Sequence, residues 1–184
     1  MTRTFFIIPI CLAFLAFKAE PLVYLTQNGQ IHFFSDAPLE LIRAASGALR
    51  GAISTEKNTF QFSVGIKTFE GFNSPLQKEH FNENYMESNV FPTATFKGKI
   101  IEKVDLTVDG EYAVRAKGKL KIHGVERERI IKSRVKVEDG TLQLESSFTV
   151  LLAEHGIGIP RIVHHKIAEE IQVKIAAKFT VYKP

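Results

Sequence analysis

The feature that most constrains this chain is the regular alternation of apolar and polar residues along several long segments. Residues 59–67, 111–123, 141–150 and 171–181 place apolar or small side chains at nearly every second position. Successive side chains of a β-strand point to opposite faces, so a period of two is typical of a strand with one buried face. The pattern therefore predicts long strands with one wet and one dry face, and an all-β fold class.

Turn signals between these segments favour antiparallel pairing. Asp109-Gly110 and Asp139-Gly140 each lie between two strand-like runs, and Asp-Gly is a strong hairpin signal. Closing a sheet of long strands into a barrel removes its exposed edges. We therefore expect an eight-stranded antiparallel barrel, with strands at about residues 30–35, 47–54, 59–67, 93–103, 111–123, 128–138, 141–150 and 171–182.

Two segments depart from the strand period. Leu76–Ser88 follows Asn73-Ser74-Pro75 and has apolar and aromatic residues at helical spacing. Pro160–Glu170 shows a similar spacing, and proline is common at the first turn of a helix. We expect one or two short helices here.

The N-terminus is typical of a secretory signal peptide. A short cationic start precedes an apolar run over residues 5–17, which is shorter than the roughly 20 residues of a membrane-spanning helix. We expect residues 1–19 to be removed and residues 20–184 to form a single domain in the periplasm or outside the cell, without stable membrane insertion.

Charge and cysteine content after export exclude several functions. Residues 1–19 contain Arg3 and Lys18 and no acidic residue, so their removal lowers the net charge from +4 to +2. A small positive charge spread along the chain does not predict nucleic-acid binding. Cys11 is the only cysteine and leaves with the signal peptide, so the mature domain depends on its hydrophobic core rather than on disulfides.

Motifs for catalysis, metal binding or cofactor binding are absent from the sequence. His164 and His165 are adjacent, which on a helix points them about 100° apart, unlike the spacing of zinc ligands on one helix. His80 and Glu83 share one face of the first predicted helix and are the only candidates for an acid–base pair. We expect neither a metal nor a cofactor, and an enzyme acting on a small amphiphile through His80 and Glu83 is the less favoured alternative.

Small residues on the apolar faces leave two interpretations open. Ala116, Gly118, Ser146 and Ala177 lie at inward positions among larger apolar residues. They can leave space for a bound chain, or they can complement large neighbours in a filled core. Since these inward faces carry no charged residue, a ligand would be mostly hydrocarbon.

Several blocks occur in order over most of the predicted mature chain. They are Phe60-x-Phe62-x-Val64, Phe69-x-x-Phe72, His80-Phe81-x-Glu83-x-Tyr85-Met86-Glu87-Ser88, Phe91-Pro92-x-Ala94-x-Phe96-x-Gly98, Gly118-x-Leu120-x-Ile122-His123-Gly124-Val125 and Gly156-Ile157-x-Ile159-Pro160. In this order and spacing the sequence resembles the YceI-like family. The resemblance implies a lipocalin-like barrel with an apolar internal tunnel for a polyisoprenoid, an isoprenoid quinone or a fatty-acid-like amphiphile.

On this basis we expect a binding protein that holds or carries a long apolar chain without catalysis. The residues expected to contact that chain are Phe62, Val64, Phe69, Phe72, Phe81, Tyr85, Met86, Phe96, Ala116, Gly118, Leu120, Phe148, Ile175 and Ala177. A ligand-free packed barrel that serves as an envelope-stress or interaction module is the main alternative. A homodimer is compatible with either interpretation.

Overall fold

Residues 22–182 of the computed structural model form one closed antiparallel barrel of eight strands, in which each strand pairs with its sequence neighbours and β1 also pairs with β8. The predicted signal peptide lies outside the described residues. The fold class predicted from the alternation is confirmed. The strands are β1 Val23–Ala37, β2 Glu40–Ser54, β3 Thr59–Gly65, β4 Thr93–Ile100, β5 Gly110–Ile122, β6 Val125–Glu138, β7 Thr141–Leu151 and β8 Glu170–Val181.

The first two strands are much longer than predicted. Both have 15 residues, whereas the sequence indicated only about half of each. In β2, alanine occupies inward and outward positions alike, so the contrast between the two faces is weak. In β1, register shifts near Gly29 interrupt the pairing with both neighbouring strands. A bulge of this kind breaks the period of two that the sequence analysis relied on.

The tight turns agree only in part with the prediction. Asp139-Gly140 links β6 to β7 with φ values of 49° and 66°, as a two-residue hairpin turn requires. His123-Gly124 makes the same kind of turn between β5 and β6, with φ values of 49° and 76°. Asp109-Gly110 does not form a hairpin turn. It ends a longer connection, residues 101–109, and Gly110 is already the first residue of β5.

The first predicted helix is present. Helix α1, Pro75–His80, runs directly into a single π-helical turn, Phe81–Tyr85. Ser74 caps the helix by accepting a hydrogen bond of 3.1 Å from the backbone N–H of Gln77, and Pro75 occupies the first turn. The prediction of a second helix over Pro160–Glu170 is wrong. This segment consists of one 3₁₀ turn, Arg161–Val163, followed by irregular turns.

The two ends of the barrel differ. At the end that holds the β2–β3, β4–β5 and β6–β7 connections, here called the closed end, the interior is packed. Leu142 and Phe179 are fully buried there, and Leu106 from the β4–β5 connection is buried beneath them. At the opposite end, here called the mouth, two long connections, residues 66–92 and 152–169, surround an opening.

A seam runs from the mouth down between β6 and β7. These strands pair only from Ser133–Ser146 to the hairpin turn, whereas the mouth-side halves of β6 and β7 pair only with β5 and β8. Arg129 crosses the seam: one guanidinium nitrogen donates to the Thr149 carbonyl oxygen at 2.7 Å and another to Glu154 at 3.1 Å. Side-chain bonds thus replace part of the missing backbone ladder.

No helix among residues 22–182 is long and apolar enough to span a membrane.

Candidate functional site

The mouth opens into a cavity of about 500 Å³, here called the upper chamber. A smaller cavity of about 90 Å³, the lower chamber, lies deeper in the barrel. Both chambers border on Ile31, Val64, Ala94, Leu120 and Phe148. The two chambers are therefore adjacent along the barrel, with these five residues between them.

The walls of the lower chamber are almost entirely apolar. Its described wall residues include no charged side chain, and Ser63, Thr95, Ser133 and Ser146 are the only polar ones. Ser133 and Ser146 bond to each other at 3.2 Å, and Ser146 also donates to the Lys132 carbonyl oxygen. Because these hydroxyls already have partners, the chamber offers its occupant mainly dispersion and hydrophobic contact.

Four phenylalanines form the wall of the upper chamber beneath α1. Phe33 packs against Phe69, Phe72 and Phe81 with ring centroids 5.5, 6.0 and 5.4 Å apart. Phe72 and Phe81 are also 5.0 Å apart. Three of these residues come from the long connection after β3, so the aromatic contacts fasten that connection over the barrel. Such pairs contribute about 0.5–1.5 kcal/mol each beyond their buried area.

Polar groups are concentrated at the mouth. Glu40, at the start of β2, accepts hydrogen bonds from the side-chain amides of Gln77 at 2.8 Å and Asn73 at 3.2 Å, which ties α1 to the β1–β2 hairpin. Tyr85 lines the same chamber, and burial raises the pKa of its phenol above the ordinary 10.0. The phenol therefore stays neutral and can donate a hydrogen bond. Lys166 lies on the other long connection and also borders the chamber.

Two histidines fasten three segments of the mouth to one another. The two ring nitrogens of His123, in the β5–β6 turn, lie 2.6 Å from Glu87 and 3.2 Å from the His155 carbonyl oxygen. His155 in turn lies 3.1 Å from the Val125 carbonyl oxygen through Nδ1 and is fully buried. Burial lowers the pKa of His155, an effect that the bond to the Val125 carbonyl opposes. These contacts hold the loop after α1, the β5–β6 turn and the turn after β7 together.

All but two of the residues expected to contact a ligand lie in the chamber walls. The lower chamber contains Phe62, Phe96, Ala116 and Ile175, and the upper chamber contains Phe69, Phe72, Phe81, Tyr85 and Met86, with Val64, Leu120 and Phe148 in both. The alternation of the strands and the block around His80 thus indicated residues that the fold brings together, although their contact with a ligand stays a prediction.

The two exceptions are Gly118 and Ala177. Gly118 pairs with Gly98 across β4 and β5, and a Cβ on either residue would collide with the backbone of the other strand. Both glycines therefore allow a close approach of two strands rather than making space for a chain. Ala177 is buried toward the closed end, where it packs near Gly29 and Leu49. Neither residue borders a chamber.

The structure does not join the histidines into a chemical site. His80 borders the upper chamber, but both His80 and Glu83 are exposed to solvent, and Glu83 is not a wall residue. The rings of His164 and His165 lie with their centroids 3.6 Å apart, tilted by 45°, on an exposed turn. Within residues 22–182, no three His, Cys, Asp or Glu residues are grouped so that they could hold a metal ion.

Several wall residues were missed by the sequence analysis. Ile31 and Phe33 come from β1, and Ile42 comes from the part of β2 that was not predicted as a strand. Phe33 is the centre of the aromatic cluster. The only signal for it was the pair Phe33-Phe34, in which one ring faces inward while Lys174 lies over the other on the outer face, 5.3 Å from its centroid.

A closed barrel with an apolar interior chamber and a polar mouth defines a lipocalin-like class of fold. The sequence matches the YceI-like domain family over residues 14–179, so the chain belongs to that family. No curated protein sequence matches it.

Solved structures agree with this assignment. A polyisoprenoid binding domain from Saccharophagus degradans is 16% identical with a TM-score of 0.73, covering 87% of this chain and 98% of that one. BcnA from Burkholderia cenocepacia is 14% identical with a TM-score of 0.68, covering 82% and 95%. The Campylobacter jejuni YCEI protein is 16% identical with a TM-score of 0.53, covering 68% and 73%. At these identities the likeness concerns the fold alone.

Proposed function

We propose that this protein is an exported carrier that binds one long apolar chain in its two chambers and does no chemistry on it. The observation that carries the proposal is the upper chamber, whose volume of about 500 Å³ falls within the usual range of ligand sites, about 300–1,000 Å³. A folded barrel of this size ordinarily fills its interior with side chains unless it holds a ligand.

The position of the polar groups supports an amphiphile with one polar end. The lower chamber has no charged wall residue among those described, whereas Glu40, His80 and Lys166 border the upper chamber. A chain inserted tail-first would leave its head group beside these residues. A polyisoprenoid, an isoprenoid quinone and a fatty-acid-like amphiphile all have this form, and the similar Saccharophagus degradans domain is a polyisoprenoid binding domain.

Solvent extraction of protein purified from its native compartment, followed by mass spectrometry, tests the proposal. We expect one class of long-chain lipid in a ratio approaching one per protein. Delipidated protein should then bind a dansyl-labelled acyl chain, and the extracted lipid should displace that chain. Absence of extractable lipid together with absence of probe binding would favour the packed-barrel alternative. Turnover of an amphiphile that is lost in His80→Ala would favour the enzyme.

Export rests on the N-terminal sequence. The apolar run over residues 5–17 motivates a mature N-terminus between residues 17 and 21 and a periplasmic or secreted location. N-terminal sequencing of native protein tests this, and an intact Met1 in a soluble cytoplasmic fraction would contradict it. A homodimer stays a prediction that light scattering of the mature protein checks.

A further inference from the structure

Large apolar side chains point into solvent around the mouth. Ile162 is 92% exposed, Leu39 is 71% exposed and Leu76 is 57% exposed, with Leu41 also at the surface. Each lies on a different segment: the 3₁₀ turn after Pro160, the β1–β2 turn, helix α1 and the start of β2. These four residues are called the apolar rim below.

Hydrogen bonds bring the four segments of the rim together around one opening. The backbone N–H of Leu39 donates to the His165 carbonyl oxygen at 2.9 Å, which joins the β1–β2 turn to the turn that carries Ile162. Asn73 donates to the Leu41 carbonyl oxygen at 3.2 Å beside α1. Leu76 is both exposed and a wall residue of the upper chamber. Leu76 therefore connects the wall of the chamber to the exposed rim.

The segment that carries Ile162 brings two cationic side chains to the mouth. Residues 160–168 contain Arg161, Lys166 and the histidines His164 and His165. Among the ion pairs formed by residues 22–182, none involves Arg161 or Lys166. Glu169 and Glu170 follow this segment directly, and the other acidic residues at the mouth include exposed Asp36, Glu79 and Glu83 as well as Glu40, which α1 already binds.

We propose that the apolar rim and the basic segment 160–168 dock this protein onto the surface of a lipid bilayer that contains anionic lipids. Apolar side chains reach the acyl boundary while neighbouring cationic groups contact the head groups, which is how peripheral proteins bind membranes. The mouth would then face the bilayer, so that a chain could pass along Leu76 between membrane and chamber. The transfer of a chain between membrane and chamber rests on the proposed function, whereas binding to the bilayer can be measured separately.

A bilayer suits this surface better than a second protein does. The rim residues surround an opening and are separated by polar backbone, so they do not form the flat, contiguous apolar core of a protein interface. Each can enter a fluid lipid surface independently. Arg161 and Lys166, which form no ion pair among residues 22–182, can contact the phosphates of lipid head groups.

Vesicle flotation of the purified protein tests the proposal with a matched pair of variants. The rim variant is Ile162→Ser with Leu39→Ser, neither of which is a chamber wall residue. The control is Val108→Ser with Ile101→Ser, which removes two exposed apolar side chains from the closed end. Vesicles contain phosphatidylcholine, with or without phosphatidylglycerol. We expect wild type and control to bind the anionic vesicles, and the rim variant to bind at least about tenfold more weakly.

Parallel titration of the dansyl-labelled acyl chain separates docking from cargo binding. The rim variant should bind this probe like wild type and melt at a similar temperature. Wild-type protein that does not bind anionic vesicles, or equal vesicle binding by rim and control variants, would overturn docking. Concentration-dependent dimerisation lost only in the rim variant, without vesicle binding, would also overturn it in favour of a second copy. Vesicle binding without any probe binding would uphold docking while contradicting the proposed carrier function.

Discussion

The closed end and the mouth of this barrel are built from the same eight strands, but the closed end is packed and the mouth opens into a chamber. At the closed end the links are short or tucked inward, as with Asp139-Gly140 and the connection that buries Leu106. At the mouth, long connections stand around an open chamber, and β6 separates from β7. In β5, β7 and β8 the alternation continues to both ends, so connections and local pairing, rather than the pattern of these strands, determine where space is left.

The largest expected difference between the two ends is in stability. Phe179, fully buried at the closed end, packs edge-on against Phe62 with centroids 5.9 Å apart. Truncation to alanine should cost about 3–5 kcal/mol, since it leaves a new cavity in packed surroundings. Phe148 already borders both chambers, so Phe148→Ala should cost less than about half as much. Urea unfolding of delipidated protein measures both, and equal losses would show that the mouth half is as tightly packed as the closed end.

The second-largest expected effect is on ligand affinity, and its measurement tests whether a chain passes from the upper to the lower chamber. Ala94 borders both chambers, so Ala94→Phe should obstruct the junction. If three or four methylenes lose their place, at about 0.8 kcal/mol each, affinity for a long chain falls about a hundredfold. Titration of long and short acyl probes measures this, and a short probe that stays in the upper chamber should bind almost normally.

The outer face of β5 supplies the control for that substitution. Ala113 is exposed to solvent, so Ala113→Phe adds the same side chain without entering a chamber and should leave both probes unaffected. Thermal melts of both variants establish that they fold. Equal affinity of Ala94→Phe and wild type for the long probe would place the whole chain in the upper chamber.

The seam is expected to have a smaller effect, confined to the mouth half. Arg129→Met keeps much of the side-chain length but removes the bonds to the Thr149 carbonyl and to Glu154. Because hydrogen bonds from a charged group contribute about 1.5–3 kcal/mol and this one is partly exposed, we expect a loss of about 1–2 kcal/mol. Hydrogen exchange should accelerate in the mouth-side halves of β6 and β7 but not near Asp139-Gly140. Uniform acceleration would mean that the seam does not open locally.

The sequence predicted some strands better than others for a physical reason. Inward positions of β3, β5, β7 and β8 carry mostly apolar residues against mostly polar outer ones, so their period was visible. In β2, small residues occupy both faces, and buried Ser46 bonds to Thr68 at 2.6 Å instead of joining an apolar stripe. The seam did leave a signal in β6: its half that pairs with β7 alternates, with Val135 and Val137 inward, whereas residues 126–129 in the unpaired half are all charged.

The residues of the chamber walls could also be predicted only in part from the sequence. Aromatic residues around Phe81 were recognisable as a group, but their partner Phe33 is distant in the sequence, and the pair Phe33-Phe34 did not indicate which ring faces inward. Gly118 and Ala177 were expected to make space because small residues leave volume. Where two strands approach closely, as at Gly98 and Gly118, that volume is taken by backbone. Side-chain size alone therefore does not distinguish a cavity from a close crossing.

The smallest expected effect is a pH dependence that belongs to the mouth. Burial lowers the pKa of His155 below its ordinary value of 6.5, so as the pH falls the unfolded chain takes up a proton before the folded one does. Neutral His155 therefore makes its full contribution to the free energy of unfolding above pH 6.5, and this contribution is lost as the pH falls from 6.5 toward the lower pKa of the folded state.

The substitution His155→Asn tests this effect, because asparagine keeps a side-chain donor for the Val125 carbonyl but cannot titrate. Urea unfolding at about pH 7 and about pH 5 should show a smaller acid-induced loss in His155→Asn than in wild type. Phe179→Ala, at the closed end, should lower the free energy of unfolding equally at both pH values and so keep the wild-type pH dependence. An unchanged pH dependence in His155→Asn would instead assign the acid sensitivity to groups other than His155.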